Sequence, residues 1–235
     1  MIIDFKFLSK GARIINFIKK SLSELSYLLD ELYFYTFKPK NMKPNINILS
    51  EETLSDQKYN LKKFVFEYHE EGKEKQLQTR EVFHRGNGTA ILLYNKQSKT
   101  VLLTRQFRLP TFLNGNPGGM LIEACAGTLD EESPKECIIR ETREETGYHI
   151  KDAQKVFEVY VSPGAVTELM YLYVAEYSPE MKLSPGGGLD EENENIQNVE
   201  IPFEQAIKML QNGEIRDAKT VLLLQYVQIH NLLNN

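Results

Sequence analysis

From Ser133 to Gly147 the chain has room for little but a helix. Ser133 can cap it, Pro134 suits the first helical position, and Glu136 stands three residues after the cap, completing a capping box. Gly147 closes it, because glycine enters the left-handed conformation at little steric cost. Cys137, Ile138 and Ile139 supply the side that packs.

The exposed side carries Arg140-Glu141-Thr142-Arg143-Glu144-Glu145. Spacings of three and four residues place Glu141, Glu144 and Glu145 on one face, with Cβ atoms about 5 to 6 Å apart. Such like charges repel by about 0.2–0.5 kcal/mol per pair, and a hard, oxygen-seeking cation such as Mg²⁺ turns that penalty into a gain. The competing reading is a solvated face, in which Arg140 pairs with Glu136 and Glu144 one turn to either side. Arg143 has no such partner, because Ile139 and Gly147 stand four residues away.

Gly127 to Tyr148 resembles the Nudix box, in which a glycine and a loop glutamate precede the run Arg-Glu-U-x-Glu-Glu-x-Gly-U, with U a bulky apolar residue. Arg140, Glu141, Glu144, Glu145 and Gly147 match it. Twelve residues rather than thirteen separate Gly127 from Arg140, and Thr142 takes the first U position. Glu132 keeps the seven-residue spacing to Arg140 and can stand for the loop glutamate. The resemblance runs over roughly residues 46–234 and is nearest to the GDP-mannose pyrophosphatase branch of the nucleoside-diphosphate-sugar hydrolases, which shares the shortened loop. Its matching stretches include Arg105-Gln106-Phe107-Arg108, Leu121-Ile122-Glu123-Ala124-Cys125-Ala126-Gly127, Ser162-Pro163-Gly164-Ala165-Val166-Thr167-Glu168-Leu169, Gly186-Gly187-Gly188 and Asp217-Ala218-Lys219-Thr220.

The resemblance implies an α/β Nudix fold, an α/β/α sandwich around a mixed sheet, with extra N-terminal antiparallel strands. It implies hydrolysis of a nucleotide sugar, GDP-mannose to GMP and mannose 1-phosphate, with Mg²⁺ as cofactor and Mn²⁺ as a substitute. Glu141 and Glu145 would bind metal with the Ala126 carbonyl, and Glu144 would contribute or support. Arg140 would orient these carboxylates. In the acidic stretch after the three glycines, Glu194 is the first choice for metal and Glu192 for the general base. By composition alone that stretch is a flexible, solvated loop. Arg108 falls to the diphosphate, Lys219 to the sugar or phosphate end, and Glu168 to the pocket, each against a bland reading as a surface charge. Arg80 and Glu81 match nucleotide-contacting positions on strands that cross a two-fold axis, so a homodimer is expected. ADP-ribose hydrolysis is the alternative activity, and a non-catalytic nucleotide-sugar-binding module the alternative class.

Composition narrows the remaining possibilities. A net charge of −5 leaves no broad basic field for a nucleic-acid backbone. The two cysteines, Cys125 and Cys137, sit among apolar residues without metal spacing and read as buried reduced thiols, which suits the cytoplasm. His69, His84, His149 and His230 are scattered and suggest no site. Residues 1–41 mix apolar and basic residues and can form an amphipathic helix, but they hold neither a signal peptide nor a membrane span. They read as an extension that is helical or not native, ahead of a strand region at 42–85 and a Nudix domain at 86–235. Strands are expected at 64–68, 78–84, 90–94, 100–106, 155–161 and 168–176, with helices at 203–211 and 217–230.

Overall fold

The computed structural model describes residues 43–189, 191 and 195–233, so the expected extension at 1–41 lies outside the described residues. The chain divides into two compact units, one of Met1–Ile48 with Phe66–Gln78 and one of Leu49–Val65 with Thr79–Asn235. Within the first unit, Lys73 N donates to Glu70 O at 3.0 Å across Glu71-Gly72, where Gly72 has φ +80°. This closes a turn between the strands expected at 64–68 and 78–84, and glycine takes its conformation without strain. Strands β1 (Asn45–Asp56), β2 (Asn60–His69) and β3 (Gln76–His84) form a three-stranded sheet in the order β1-β2-β3. Strand β1 precedes the first strand expected individually, at 64–68. Its Ile46, Ile48, Leu49 and Leu54 are 42–53% exposed, so it has no buried face to impose a legible alternation.

The second unit is built on β4 (Gly88–Asn95), buried along its whole length. It lies between antiparallel β5 (Thr100–Phe107) and parallel β9 (Leu169–Glu176), in the order β10-β5-β4-β9-β8. Strands β8 (Gln154–Tyr160) and β10 (Gln197–Pro202) are the ends of that order. Short β6 (Met120–Glu123) pairs with β5, and β7 (Cys125–Thr128) with β4, setting Ala126 opposite Ala90.

Alternation along β4 makes two cores, as a sheet with both faces covered requires. Ala90, Leu92 and Tyr94 face helices α3 (Phe203–Gln211) and α4 (Ala218–Ile229) through Ala206, Leu223, Leu224 and Val227. Ile91 and Leu93 belong to the other core, where Ile138 of α2 (Pro134–Glu141) packs with Cys125 and Tyr173. Helix α1 (Leu109–Leu113) is a short turn after β5, so Arg108 stands just past the strand rather than in it. The unit is thus an α/β/α sandwich with a mixed sheet. Among the described residues no helix is long and apolar enough to cross a membrane.

Candidate active site

Helix α2 begins as its sequence dictates. Ser133 Oγ accepts from Glu136 N at 3.3 Å, and Glu136 Oε2 accepts from Ser133 N at 3.2 Å. Glu136 is thereby spent on the cap and leaves Arg140 to other acids. Arg140 donates Nε and Nη2 to Glu132 Oε1 at 3.0 and 2.6 Å, and Nη1 to Glu144 Oε2 at 2.7 Å, with Glu141 Oε1 3.1 Å from Nη1. The Glu132 bonds first, aided by the Glu141 and Glu144 charges, hold Arg140 well above the usual guanidinium value. Glu132 thus keeps its contact with Arg140 despite the shortened loop.

Continuation of the α-helix to Gly147 is corrected by a π-turn over Thr142–Thr146. Thr142 Oγ1 donates to Ile138 O at 2.6 Å and Thr146 Oγ1 to Thr142 O at 2.5 Å. Such back-bonding from threonine bends helices, and single π-turns recur at functional sites. Beyond this turn the carboxylates expected on one face take different partners. Glu144 stays with Arg140, its side chain 25% exposed, while Glu145 is 1% exposed and its Oε2 accepts from Ala126 N at 3.3 Å. Glu141 lies against Gly127, where an added Cβ would be 2.2 Å from its Cδ and Oε1. Two carboxylates therefore converge on the Ala126–Gly127 backbone. Among the described residues no group of three or more His, Cys, Asp or Glu side chains is arranged to hold a metal ion. Glu141, Glu145 and the Ala126 carbonyl are hard oxygen donors, the chemistry a divalent cation takes.

The C-terminus of this helix is closed from forty residues further along the chain. Gly147 adopts φ +78°, and Leu183 N donates to its carbonyl at 2.8 Å. Gly187 N and Gly188 N donate to the carbonyls of Glu145 and Glu144 at 2.8 and 3.2 Å. Asn198 Nδ2, from β10, donates to Glu145 O, Thr146 O and Pro185 O at 3.2, 3.5 and 3.1 Å. A Cβ on Gly186 would lie 2.5 Å from Glu145 O, so this glycine is a condition of close approach. Gly187 and Gly188 thus fasten the chain that leads to the acidic stretch.

A second polar group lies on the far side of Ala124. Glu123, 2% exposed, accepts both Nε and Nη2 of Arg108 at 2.9 and 2.8 Å. Lys219 Nζ reaches Glu123 Oε2 at 3.2 Å and Asp217 Oδ1 at 2.8 Å. Asp217 caps α4 by accepting from Thr220 N at 3.0 Å, and Thr220 Oγ1 accepts from Ala124 N at 2.7 Å. Burial alone drives the Glu123 carboxyl upward, but Arg108 and Lys219 more than offset it and hold it below the usual carboxylate value. Arg108 is raised in spite of burial, chiefly by Glu123, with the Glu145 and Asp217 charges contributing. The bland reading of Lys219 as solvated is corrected, its side chain being 15% exposed.

The structure thus brings Glu141, Glu144, Glu145 and Ala126 together, with Arg108 within electrostatic reach of Glu145. Arg80 is exposed, its Nη1 donating to Thr79 O at 2.8 Å, and Glu81 beside it is exposed. Arg80 lines a cavity of about 580 Å³ with Val82, Tyr160, Pro163, Ala165 and Thr167, and none of the helix carboxylates is among its lining residues. Glu168 is 7% exposed, with Oε1 3.3 Å from Arg85 Nε, and likewise does not line that cavity. Glu192 and Glu194 lie outside the described residues. Sequence reasoning missed Glu123 and Asn198. The only signal was a lone acid inside the apolar run Met120-Leu121-Ile122-Glu123-Ala124-Cys125.

Comparison with known proteins gives the family of the chain. Residues 84–224 match the NUDIX domain, and residues 45–83 match the GDP-mannose pyrophosphatase NudK N-terminal domain. The GDP-mannose pyrophosphatase of Yersinia enterocolitica serotype O:8 / biotype 1B is 50% identical over 192 residues, covering 82% of this chain and 100% of the relative. That of Cronobacter sakazakii is 47% identical over 193 residues, covering 82% and 100%. That of Yersinia pestis strain Pestoides F is 51% identical over 179 residues, covering 76% and 89%.

Proposed function

The chain belongs to the Nudix family, and on that premise we propose that it hydrolyses the diphosphate bridge of GDP-mannose, giving GMP and mannose 1-phosphate. The observation that carries the proposal is the convergence of Glu141 and Glu145 on Ala126–Gly127, beside the Arg108–Glu123–Lys219 group. Two relatives covered over their full length bear the name of this activity.

Water attacks one phosphorus, the bridging P–O bond breaks, and a base takes the proton that the water loses. Glu141, Glu145 and the Ala126 carbonyl would hold Mg²⁺, or Mn²⁺ in its place. Such a cation, when bound, neutralises diphosphate oxygens and acidifies a bound water. Arg140 keeps Glu141 and Glu144 oriented through its contacts to both. Arg108 and Lys219 bind the diphosphate and its sugar end, and Glu168 belongs to the pocket wall. Glu192 and Glu194 are the candidates for base and further metal ligand by sequence. Arg80 and Glu81 would complete the nucleotide site of the partner in a homodimer. Cytoplasmic residence accords with two free, buried thiols.

The test is hydrolysis of GDP-mannose, ADP-ribose and UDP-glucose in parallel with Mg²⁺, with product identification and a Glu145→Gln control. GMP and mannose 1-phosphate formed fastest, and lost in the variant, is the expected result. Faster release of AMP and ribose 5-phosphate assigns the chain to ADP-ribose instead. Tight binding without cleavage of any of the three assigns it to a nucleotide-sugar-binding module.

A further inference from the structure

A carboxylate at position 123 needs a reason. Its strand neighbours are apolar, it is 2% exposed, and burying a charge is unfavourable unless it is paired and hydrogen-bonded. Leucine or methionine would fill the same place in β6 without that cost. What the carboxylate does, and an apolar residue could not, is hold two cations from distant parts of the chain. Arg108 comes from the end of β5 and Lys219 from the first turn of α4, and Glu123 bonds both, at 2.8 to 3.2 Å.

Asp217 pins Lys219 from the other side at 2.8 Å and is itself fixed as the α4 cap. The positive charges of Arg108 and Lys219 are thereby cancelled by those of Glu123 and Asp217. Arg108 still keeps Nη1 outside its two-point contact with Glu123, and its side chain is 40% exposed. The neighbouring Ala124 N is tied to Thr220, so backbone and side chains are fixed as one unit.

We propose that Glu123 is a positioning residue for the diphosphate-cleaving reaction: it holds Arg108 and Lys219 as a single preset clamp for the substrate diphosphate. The inference deepens the function proposed above and rests on it. A diphosphate would take up the faces of the cations that Glu123 and Asp217 leave open. Because Glu123 sets the cations beforehand, little ordering is left for the moment of binding. Its charge also keeps them from gripping a free anion so tightly that the bound state is favoured over the reacting one.

Glu123→Gln keeps the size of the side chain and removes its charge. In the full chain, kcat on GDP-mannose should fall about 100-fold through loss of placement. Inorganic diphosphate, titrated by calorimetry into EDTA-stripped protein, should bind about tenfold more tightly, because the opposing charge has gone. A residue that merely fills the core would lower the melting temperature and move neither quantity. A kcat within about threefold of the parent, with unchanged diphosphate affinity, overturns the proposal whatever the melting temperature.

Should Glu123→Gln fail to fold, the double change Glu123→Gln/Lys219→Met removes one acid and one base together. The proposal requires it to be about tenfold slower than Lys219→Met alone, since Arg108 has then lost its anchor, and equal rates overturn it. If the parent chain leaves GDP-mannose intact, the proposed activity fails, and the diphosphate titration still decides Glu123: tighter binding in Glu123→Gln supports the clamp and unchanged binding refutes it.

Discussion

Replacing Gly127 by alanine puts a methyl group where the Glu141 carboxyl already sits. The new Cβ would lie 2.2 Å from Cδ and Oε1 and 2.3 Å from Cγ, whereas ordinary contact begins at 3.4 Å, so the carboxyl must retreat by about 1.2 Å. Glu141 has a route outward, because its side chain is 15% exposed and the clash is with a side chain rather than with backbone. The stability loss should therefore fall at the low end of the ~1–3 kcal/mol typical of overpacking. That corresponds to about 2–4 °C in melting temperature per kcal/mol for a domain of this size. Chemistry should suffer more, since a displacement of about 1 Å in a positioned group costs about 100-fold in rate, or about 2.7 kcal/mol. Calorimetric melting, kcat against Mg²⁺ concentration, and Mn²⁺ binding by electron paramagnetic resonance separate the two effects. The expected result is a drop of a few degrees, a kcat lower by about two orders of magnitude, and weaker Mn²⁺ binding. A similar melting shift with kcat and metal binding both unchanged would refute the argument that the Glu141 seat against Gly127 belongs to the site.

Asn198→Ala removes three amide contacts to the carbonyls of Glu145, Thr146 and Pro185, and should cost about 1–3 kcal/mol in chemical denaturation. Leaving stability unchanged would mean that these contacts are not maintained in solution. Because the Glu123 carboxyl is held below its usual value in the fold, it contributes stability above about pH 4.3 and loses it as the pH falls through the folded value. Denaturation midpoints measured from pH 6 downward should thus fall more steeply for the parent than for Glu123→Gln. Burial pushes the Cys137 thiol up to about 12 and Cys125 well above its ordinary range, so a thiol reagent at pH 8 should label neither in the native chain and both in denaturant. Rapid native labelling of either cysteine would contradict the packing around α2.

Legibility followed the range of the interactions. The Ser133–Glu136 cap and the Gly147 stop were readable because each is settled within a few residues. Helix α3 was readable because a packed face imposes its period on the sequence, and α4 because its cap at Asp217 opens a long apolar run. Strand β1 was not, since its apolar residues remain exposed and signal no inward face. Glu123 is an isolated acid whose partners stand 15 and 96 residues away, and no local pattern announces them. The three glycines were legible as glycines, but not that Gly187 and Gly188 donate to carbonyls some forty residues earlier in the chain. Among the site residues, the helix carboxylates could be found from their spacing, whereas the contacts of Glu145 with Ala126 and of Glu141 with Gly127 could not.

The π-turn gives physical meaning to one departure from the family pattern, the threonine at 142. Thr142 replaces an aliphatic residue and is fully buried, a place where an unpartnered hydroxyl would be destabilising. Its partner is the Ile138 carbonyl at 2.6 Å, the kind of contact that loosens the regular ladder, and the π-turn starts at this residue. Glu145 then turns inward to Ala126 N while Glu144 stays on Arg140, so the apparent defect in the pattern accompanies the separation of the carboxylates. The missing loop residue falls between Gly127 and Glu132, and both ends of that interval keep their contacts. Gly127 remains paired opposite Thr89 and packed on Glu141, Leu129 N is held by Asn87 O at 2.9 Å, and Glu132 still meets Arg140 at 2.6 Å. The shortened interval therefore runs between two anchored ends, with Gly127 held on β4 and Glu141, and Glu132 on Arg140.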